Sequence, residues 1–304
     1  MKITIIGAGA MGSLFGSFLA RSGQDVLLID IWQDHIDAVN SRGLAIETDG
    51  STTRVNLRAS NDIGDGKDSD LALIFVKSTQ TRQAAAQAAE CLNDRGKVLT
   101  LQNGMGNADI ISEFVDPERV IAGTTSQGAT MLGPGAIRHA GKGPTLIGMW
   151  AKRDHAGLEA IRDTFTKAGF DTQIEDNIHL VIWKKLIINV GINAITALTG
   201  IKNGNILDSP PTGELVRAVV KEASDVALAH GTTLPDNIVD QVFVVAKATA
   251  TNRSSMGQDV DHKRQTEIDA INGAVVRLAE DKNIPVPVNR TLTALVKTLQ
   301  QNYA

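Results

Sequence analysis

One cysteine, Cys91, occurs in 304 residues, so an intramolecular disulfide cannot form and a cysteine-based zinc site is excluded. The six histidines are scattered, with none at the short helical spacing of a metal-binding pair, and no metal is expected. Basic runs are equally scarce. None exceeds the pairs Lys184–Lys185 and Lys263–Arg264, and 30 Lys+Arg against 34 Asp+Glu leave a net charge of −4, which argues against a nucleic-acid partner. Long hydrophobic runs are missing too. The uncharged stretch Leu186 to Ile201 contains Asn189 and Asn193 and is too short and polar to span a bilayer. The uncharged N-terminal stretch after Lys2 mimics a signal peptide, but it carries Gly7, Gly9 and Gly12 and no stop-transfer segment follows. The reading is a cytoplasmic protein without a membrane partner.

What is present suffices for two globular domains: 42% hydrophobic and 21% charged residues over about twice the usual domain length. The first half alternates short apolar runs with helical patterns. Ile3–Ile6, Asp25–Ile29, Leu71–Val76 and Lys97–Leu101 read as strands, and Met11–Arg21 and Thr79–Leu92 as helices. Further strand-like runs, Val120–Gly123 and Thr145–Gly148, flank Gly133-Pro134-Gly135, and a helix-and-strand pair over Leu158–Ile174 closes this half. Such βαβ alternation implies a parallel sheet covered by helices. From Asn177 onward only helices are expected: Ile178–Leu198, Gly213–His230, Pro235–Ala250, Thr266–Asp281 and Val288–Gln301. The fold class is therefore α/β, an N-terminal Rossmann-type parallel-sheet domain over 1–175 followed by an all-α domain over 176–304.

Gly7-Ala8-Gly9-Ala10-Met11-Gly12 matches G-x-G-x-x-G, directly after a strand and opening a helix. In that setting Gly7 permits the tight turn, Gly9 lets a pyrophosphate approach the backbone, and Gly12 lets helix and strand pack closely. The helix start at Ala10 and Met11 offers N–H groups to the phosphates. Asp30, about 20 residues on at the end of the second strand, suits both ribose hydroxyls of an adenosine and repels a 2′-phosphate, which favours NADH over NADPH. Lys77 follows the strand Leu71–Val76, where it faces either cofactor or solvent. Gln102-Asn103-Gly104-Met105-Gly106 follows the next strand, and an amide with two glycines there suits a close backbone approach to the nicotinamide.

In the second half Lys185, Asn189 and Asn193 fall at i, i+4 and i+8 and share one helical face among apolar neighbours. A buried stripe of this kind needs partners, although a solvated stripe gives the same pattern. Beside a nicotinamide, an ammonium such as Lys185 both stabilises a developing alkoxide and donates a proton to it. Ser254-Ser255-Met256-Gly257-Gln258-Asp259 and Glu267 read either as helix caps and surface residues or as part of the same site. Cys91, inside a helical pattern, reads as packing.

Taken together, Gly7-x-Gly9-x-x-Gly12, Lys77, Gln102-Asn103-Gly104-Met105-Gly106, Trp183-x-Lys185-Leu186-x-x-Asn189-x-x-x-Asn193, Asn203-Gly204, Ser254-Ser255-Met256-x-Gln258-Asp259 and Thr266-Glu267-Ile268-Asp269-x-Ile271-Asn272-Gly273 resemble the ketopantoate reductase family. They span nearly the whole chain in family order. The resemblance implies reduction of 2-dehydropantoate to (R)-pantoate on the way to pantothenate and coenzyme A, in a cleft between a Rossmann domain and a helical domain. It implies Lys185 as proton donor and Glu267 as the acid that binds the substrate hydroxyl. Asn103, Asn189, Asn193, Asn203 and Ser255 would hold substrate or the nicotinamide end, and Lys77 would contact the cofactor. A homodimer through the helical domain is admitted only by analogy.

Family members that use NADPH carry a basic residue just after the second strand, where this chain has Asp30-Ile31-Trp32. That departure brings in NAD-dependent D-2-hydroxyacid (mandelate-type) dehydrogenases of the same family, which keep Lys185 and Glu267 and accept another side chain. From a different class stands a non-catalytic dinucleotide sensor, which needs neither of those two residues.

Overall fold

A computed structural model describes residues 1–151 and 157–303. Contacts divide the chain into two compact units: one holds residues 1–102 and 107–178, the other residues 103–106 and everything from His179 onward.

The first unit opens with β1 (Lys2–Ile6), α1 (Ala10–Arg21) and β2 (Asp25–Ile29), followed by α2 (Gln33–Arg42), β3 (Leu44–Thr48), β4 (Ser51–Val55) and β5 (Arg58–Ser60). Next come β6 (Ser69–Ile74), α3 (Thr81–Cys91), β7 (Leu92–Thr100), α4 (Asn107–Ser112) and β8 (Val120–Thr125). It ends with β9 (Gly128–Gly133), β10 (Ala136–Gly141), β11 (Thr145–Met149), α5 (Leu158–Lys167) and β12 (Thr172–Ile174). Eight strands form the main sheet in the order β12-β11-β8-β7-β6-β1-β2-β5. The expected parallel sheet is present over six strands; the edge pair β11 and β12, parallel to each other, runs antiparallel to them, because a hairpin rather than a crossover helix leads from β8 back to β11.

That hairpin belongs to a second sheet, β4-β3-β10-β9, which periodicity did not reveal. Its two turns are Asp49-Gly50, both at positive φ, and Gly133-Pro134-Gly135. Aromatics are few, yet Phe15, Phe18, Phe75, Phe165 and Phe170 gather beneath α1, with Phe15 stacked on Phe170 at 4.2 Å. Cys91 is fully buried at the end of α3, its Cβ close to Gly66, and desolvation raises its thiol pKa to about 11. It is a packing residue.

The second unit contains α6 (Ile178–Thr199), α7 (Pro210–Ala229), α8 (Ile238–Ala248), α9 (Ser255–Asp261), α10 (Asn272–Glu280) and α11 (Pro287–Gln301). Among the described residues α6 is the one helix long and apolar enough to cross a membrane. Its apolar residues Trp183, Leu186, Ile187, Val190 and Ile195 are buried in the core of this unit, which accounts for its composition. Gly191 lets its neighbours close in, since a Cβ there would meet Val242 at 2.7 Å and Val220 at 3.1 Å.

One expected helix is divided. Thr266–Asp281 comprises a 3-10 turn, Ile268–Ala270, and α10, with Ile271 at φ −105°, ψ −96° between them. The carbonyl of Ala270 accepts the Met105 N–H at 2.8 Å, and Gly104 lies so close that a Cβ would stand 2.5 Å from that oxygen. A loop distant in sequence thus takes the acceptor a continuous helix needs.

Candidate active site

In the first unit the parallel strands end together, and their carboxyl ends carry the residues singled out from sequence. Gly7 follows β1, Asp30 follows β2, and Lys77, exposed, lies three residues past β6. Gly7 has φ +96°, and a side chain there would strike the Val76 backbone at 2.7 Å. At Gly12 a Cβ would stand 2.0 Å from the Gly7 carbonyl oxygen, so helix and turn touch backbone to backbone. Gly9 differs: its φ is −61°, open to any residue, and nothing lies within 4 Å of the missing Cβ. No internal contact requires glycine at this position. The space beside it, at an α1 N-terminus capped by no side chain and with no acidic residue in its first turn, fits a phosphate group.

The Asp30 carboxylate is already engaged. Its Oδ2 accepts the Ala8 N–H at 2.7 Å and its Oδ1 accepts the Trp32 N–H at 3.0 Å. Each oxygen retains a lone pair suited to a ribose hydroxyl. Asp30 therefore also shapes the glycine loop, a role spacing did not reveal.

In the second unit one face of α6 presents Lys185 and Asn189, both half-buried, and Asn193, buried. Desolvation lowers the Lys185 pKa to about 8, while the Glu267 carboxylate acts in the opposite sense. Glu267 stands half-buried just before the 3-10 turn at Ile268. Asn193 Nδ2 and Asn203 Oδ1 are buried atoms with no hydrogen-bond partner. An unpaired donor and an unpaired acceptor carry a desolvation cost that a polar ligand would recover.

The segment around Ser255 is tied to α6 nearby. Ser254 Oγ caps α9 by accepting the Gly257 N–H at 3.0 Å and accepts the Thr196 hydroxyl at 2.7 Å. Arg253 donates to the carbonyls of Thr196 and Ile201 and pairs with Asp261. Asn203 N–H donates to Asn252 O at 3.0 Å, and Asn203 Nδ2 to Thr249 Oγ1 at 3.0 Å. Ser254 is the cap that its residue type suggested, and Ser255 is the exposed first residue of α9.

The ketopantoate reductase PanE/ApbA profile matches residues 3–152, and the ketopantoate reductase PanE/ApbA C-terminal profile matches residues 177–300. The chain belongs to the ketopantoate reductase family. It is 37% identical over 304 residues to a 2-dehydropantoate 2-reductase of Halobacterium salinarum, covering 99% of this chain and 100% of that protein. Among solved structures, a PanE/ApbA family ketopantoate reductase from Ralstonia eutropha superposes with a TM-score of 0.91 at 36% identity, covering 100% of this chain and 99% of that one. D-mandelate dehydrogenase, in its ternary structure with NADH and anilino(oxo)acetate, superposes with a TM-score of 0.93 at 29% identity and the same coverage.

Within this family framework, the Gln102-to-Gly106 motif divides its labour differently from the close approach to nicotinamide expected of it. Gln102 turns back into the first unit: Nε2 donates to Val76 O and Thr81 Oγ1 at 2.8 and 2.9 Å, and Oε1 accepts from Thr100 Oγ1 at 2.9 Å. Gly104 makes room for Ala270. Asn103, the next amide, is half-buried and grouped with the second unit.

Proposed function

We propose that this chain reduces 2-dehydropantoate to (R)-pantoate with a nicotinamide dinucleotide, in the sequence that leads to pantothenate and coenzyme A. The observation that carries the reading is the second unit's set of groups. A lysine with a pKa of about 8 lies under the influence of a glutamate, and two buried asparagine atoms lack partners. A bound reduced nicotinamide supplies the hydride for the keto carbon.

Gly7, Gly9, Ala10, Met11 and Gly12 hold the pyrophosphate, Asp30 the adenosine ribose, and Lys77 and Asn103 further parts of the dinucleotide. Lys185 Nζ gives its proton to the oxygen as it becomes an alkoxide, and its charge stabilises that oxygen beforehand. Asn103, Asn189, Asn193, Asn203 and Ser255 orient the keto acid, and Glu267 accepts a hydrogen bond from the substrate hydroxyl while favouring the charged form of Lys185. NADH is the preferred cofactor, because the carboxylate of Asp30 repels a 2′-phosphate.

Initial rates with 2-dehydropantoate, benzoylformate and 2-ketoisovalerate, each with NADH and NADPH, test this directly. Highest kcat/KM for 2-dehydropantoate with NADH is expected. Asp30, together with the likeness to D-mandelate dehydrogenase, favours a second reading as an NAD-dependent D-2-hydroxyacid dehydrogenase. High turnover of benzoylformate with little of 2-dehydropantoate would establish that reading instead.

The reduction requires protonated Lys185. Its rate is expected to fall as pH rises through about 8, and the reverse oxidation, which needs the neutral amine, to rise over the same interval. Glu267→Gln removes the interaction that raises the Lys185 pKa, so the break in the pH–rate profile should move to lower pH. The same substitution should raise KM for 2-dehydropantoate more than for 2-ketoisovalerate, which lacks the hydroxyl. Equal losses on the two substrates would remove Glu267 from hydroxyl recognition.

A further inference from the structure

His35, in the first turns of α2, is fully buried and has no place in the reaction described above. Its ring lies between the β9–β10 turn and α1. Nδ1 accepts the Gly135 N–H at 3.0 Å, and Nε2 stands 3.2 Å from Ser13 Oγ. A backbone N–H only donates, so Nδ1 carries the lone pair, and in the neutral ring Nε2 carries the hydrogen and donates to Ser13. Ser13 Oγ in turn donates to the Ala8 carbonyl at 2.8 Å. Ala8 lies between Gly7 and Gly9, and its own N–H goes to Asp30. Three hydrogen bonds thus run from the hairpin turn through one imidazole and one hydroxyl to the peptide that precedes Gly9.

The surroundings hold the ring in this state. Burial, the larger influence, lowers the His35 pKa, and the Asp30 charge raises it. Trp32 stacks on the imidazole, with centroids 5.5 Å apart and planes 18° from parallel. The hairpin end is held independently: a Cβ on Gly135 would meet Ala38 at 2.8 Å, and Arg42 donates to Pro134 O at 3.2 Å. The relay therefore has a fixed end on α2 and the hairpin, and its other end is the glycine loop. Ser13 and His35 are both completely buried, so the orientation of the Ala8 peptide depends on them and not on solvent.

We propose that His35, acting through Ser13, is a positioning residue that sets the Ala8–Gly9 backbone for the dinucleotide pyrophosphate. The inference rests on the assignment of that loop to the dinucleotide. It predicts a change in cofactor affinity rather than in chemistry.

The test is equilibrium binding of NADH and NADPH to the full chain, followed by protein fluorescence, with melting temperatures and steady-state kinetics measured in parallel. His35→Asn keeps an acceptor for Gly135 but does not reach Ser13, and Ser13→Ala removes the hydroxyl. Each should weaken binding of the preferred dinucleotide about tenfold, the worth of one buried hydrogen bond. The double variant should be no weaker than either single one, because both break the same relay. In all three, kcat at saturating cofactor should stay within about twofold of wild type while KM for the dinucleotide rises. His35→Gln, which reaches Ser13 but not Gly135, should keep near-native affinity and lose melting temperature.

Unchanged affinity in Ser13→Ala, or additive losses in the double variant, would overturn the relay. Ser13→Ala replaces one small buried side chain by another and decides the matter even if a His35 variant does not fold. A wild-type protein that binds neither dinucleotide would instead overturn the cofactor assignment, and the relay with it.

Discussion

Lys185→Ala is expected to lower the rate of keto-acid reduction about 10²- to 10⁴-fold, the range one positioned general acid contributes. The argument is one of charge. When hydride reaches the keto carbon, its oxygen becomes an alkoxide, far too basic to survive without a proton or a cation beside it. Lys185 supplies both, and its lowered pKa of about 8 makes the proton easier to give than that of an ordinary lysine. Dinucleotide affinity should change little, because the glycine loop and Asp30 belong to the other unit. A second effect separates this role from mere packing. The residual rate of Lys185→Ala should lose the pH break near 8 and recover in part with added small primary amines. Retention of wild-type turnover would sink the assignment.

The second large effect comes from paired substitutions in the glycine loop. Gly12→Ala places a methyl 2.0 Å from the Gly7 carbonyl oxygen, a distance that no rotamer relieves because both partners are backbone. The helix must shift, and the cost should reach about 3 kcal/mol or more, at the upper end for overpacking, with a clear fall in melting temperature. Gly9→Ala meets nothing within 4 Å, and its φ of −61° is ordinary. Its melting temperature should fall little, by what about 1 kcal/mol or less at an N-cap implies. Yet its methyl occupies the space that suits a phosphate, so dinucleotide affinity should drop at least about tenfold. Two glycines of one motif should thus fail for opposite reasons, one in folding and one in binding. If Gly9→Ala binds the dinucleotide as the wild type does, the pyrophosphate lies elsewhere.

Periodicity and punctuation determined the architecture of this chain. Apolar runs ending at Gly7, Asp30 and Lys77 mark β1, β2 and β6, and the change from alternating elements to helices near Asn177 marks where helices take over, because a chain buries apolar residues at intervals of its own secondary structure. The stripe Lys185, Asn189 and Asn193 was legible for the same reason, since spacing of i and i+4 fixes a helical face. Its place inside a helical pattern also put Cys91 among packing residues, and its burial agrees.

Long-range contacts decided the rest. The sheet β4-β3-β10-β9 pairs strands about ninety residues apart, and its short, mostly half-exposed strands carry no strong alternation. The break before α10 arises where the Gly104 loop takes the Ala270 carbonyl, a competitor invisible to any local pattern. Gln102 and Asn103 are adjacent amides, and only the positions of Val76, Thr81 and Thr100 show that Gln102 is spent on structure. His35 carries no motif; its importance depends on Gly135, a hundred positions away, and on Ser13. Sequence specifies which groups a segment carries and which way they face along it. Which buried donor finds which acceptor, and so which polar atoms such as Asn193 Nδ2 and Asn203 Oδ1 are left over for a ligand, is settled only when distant segments meet.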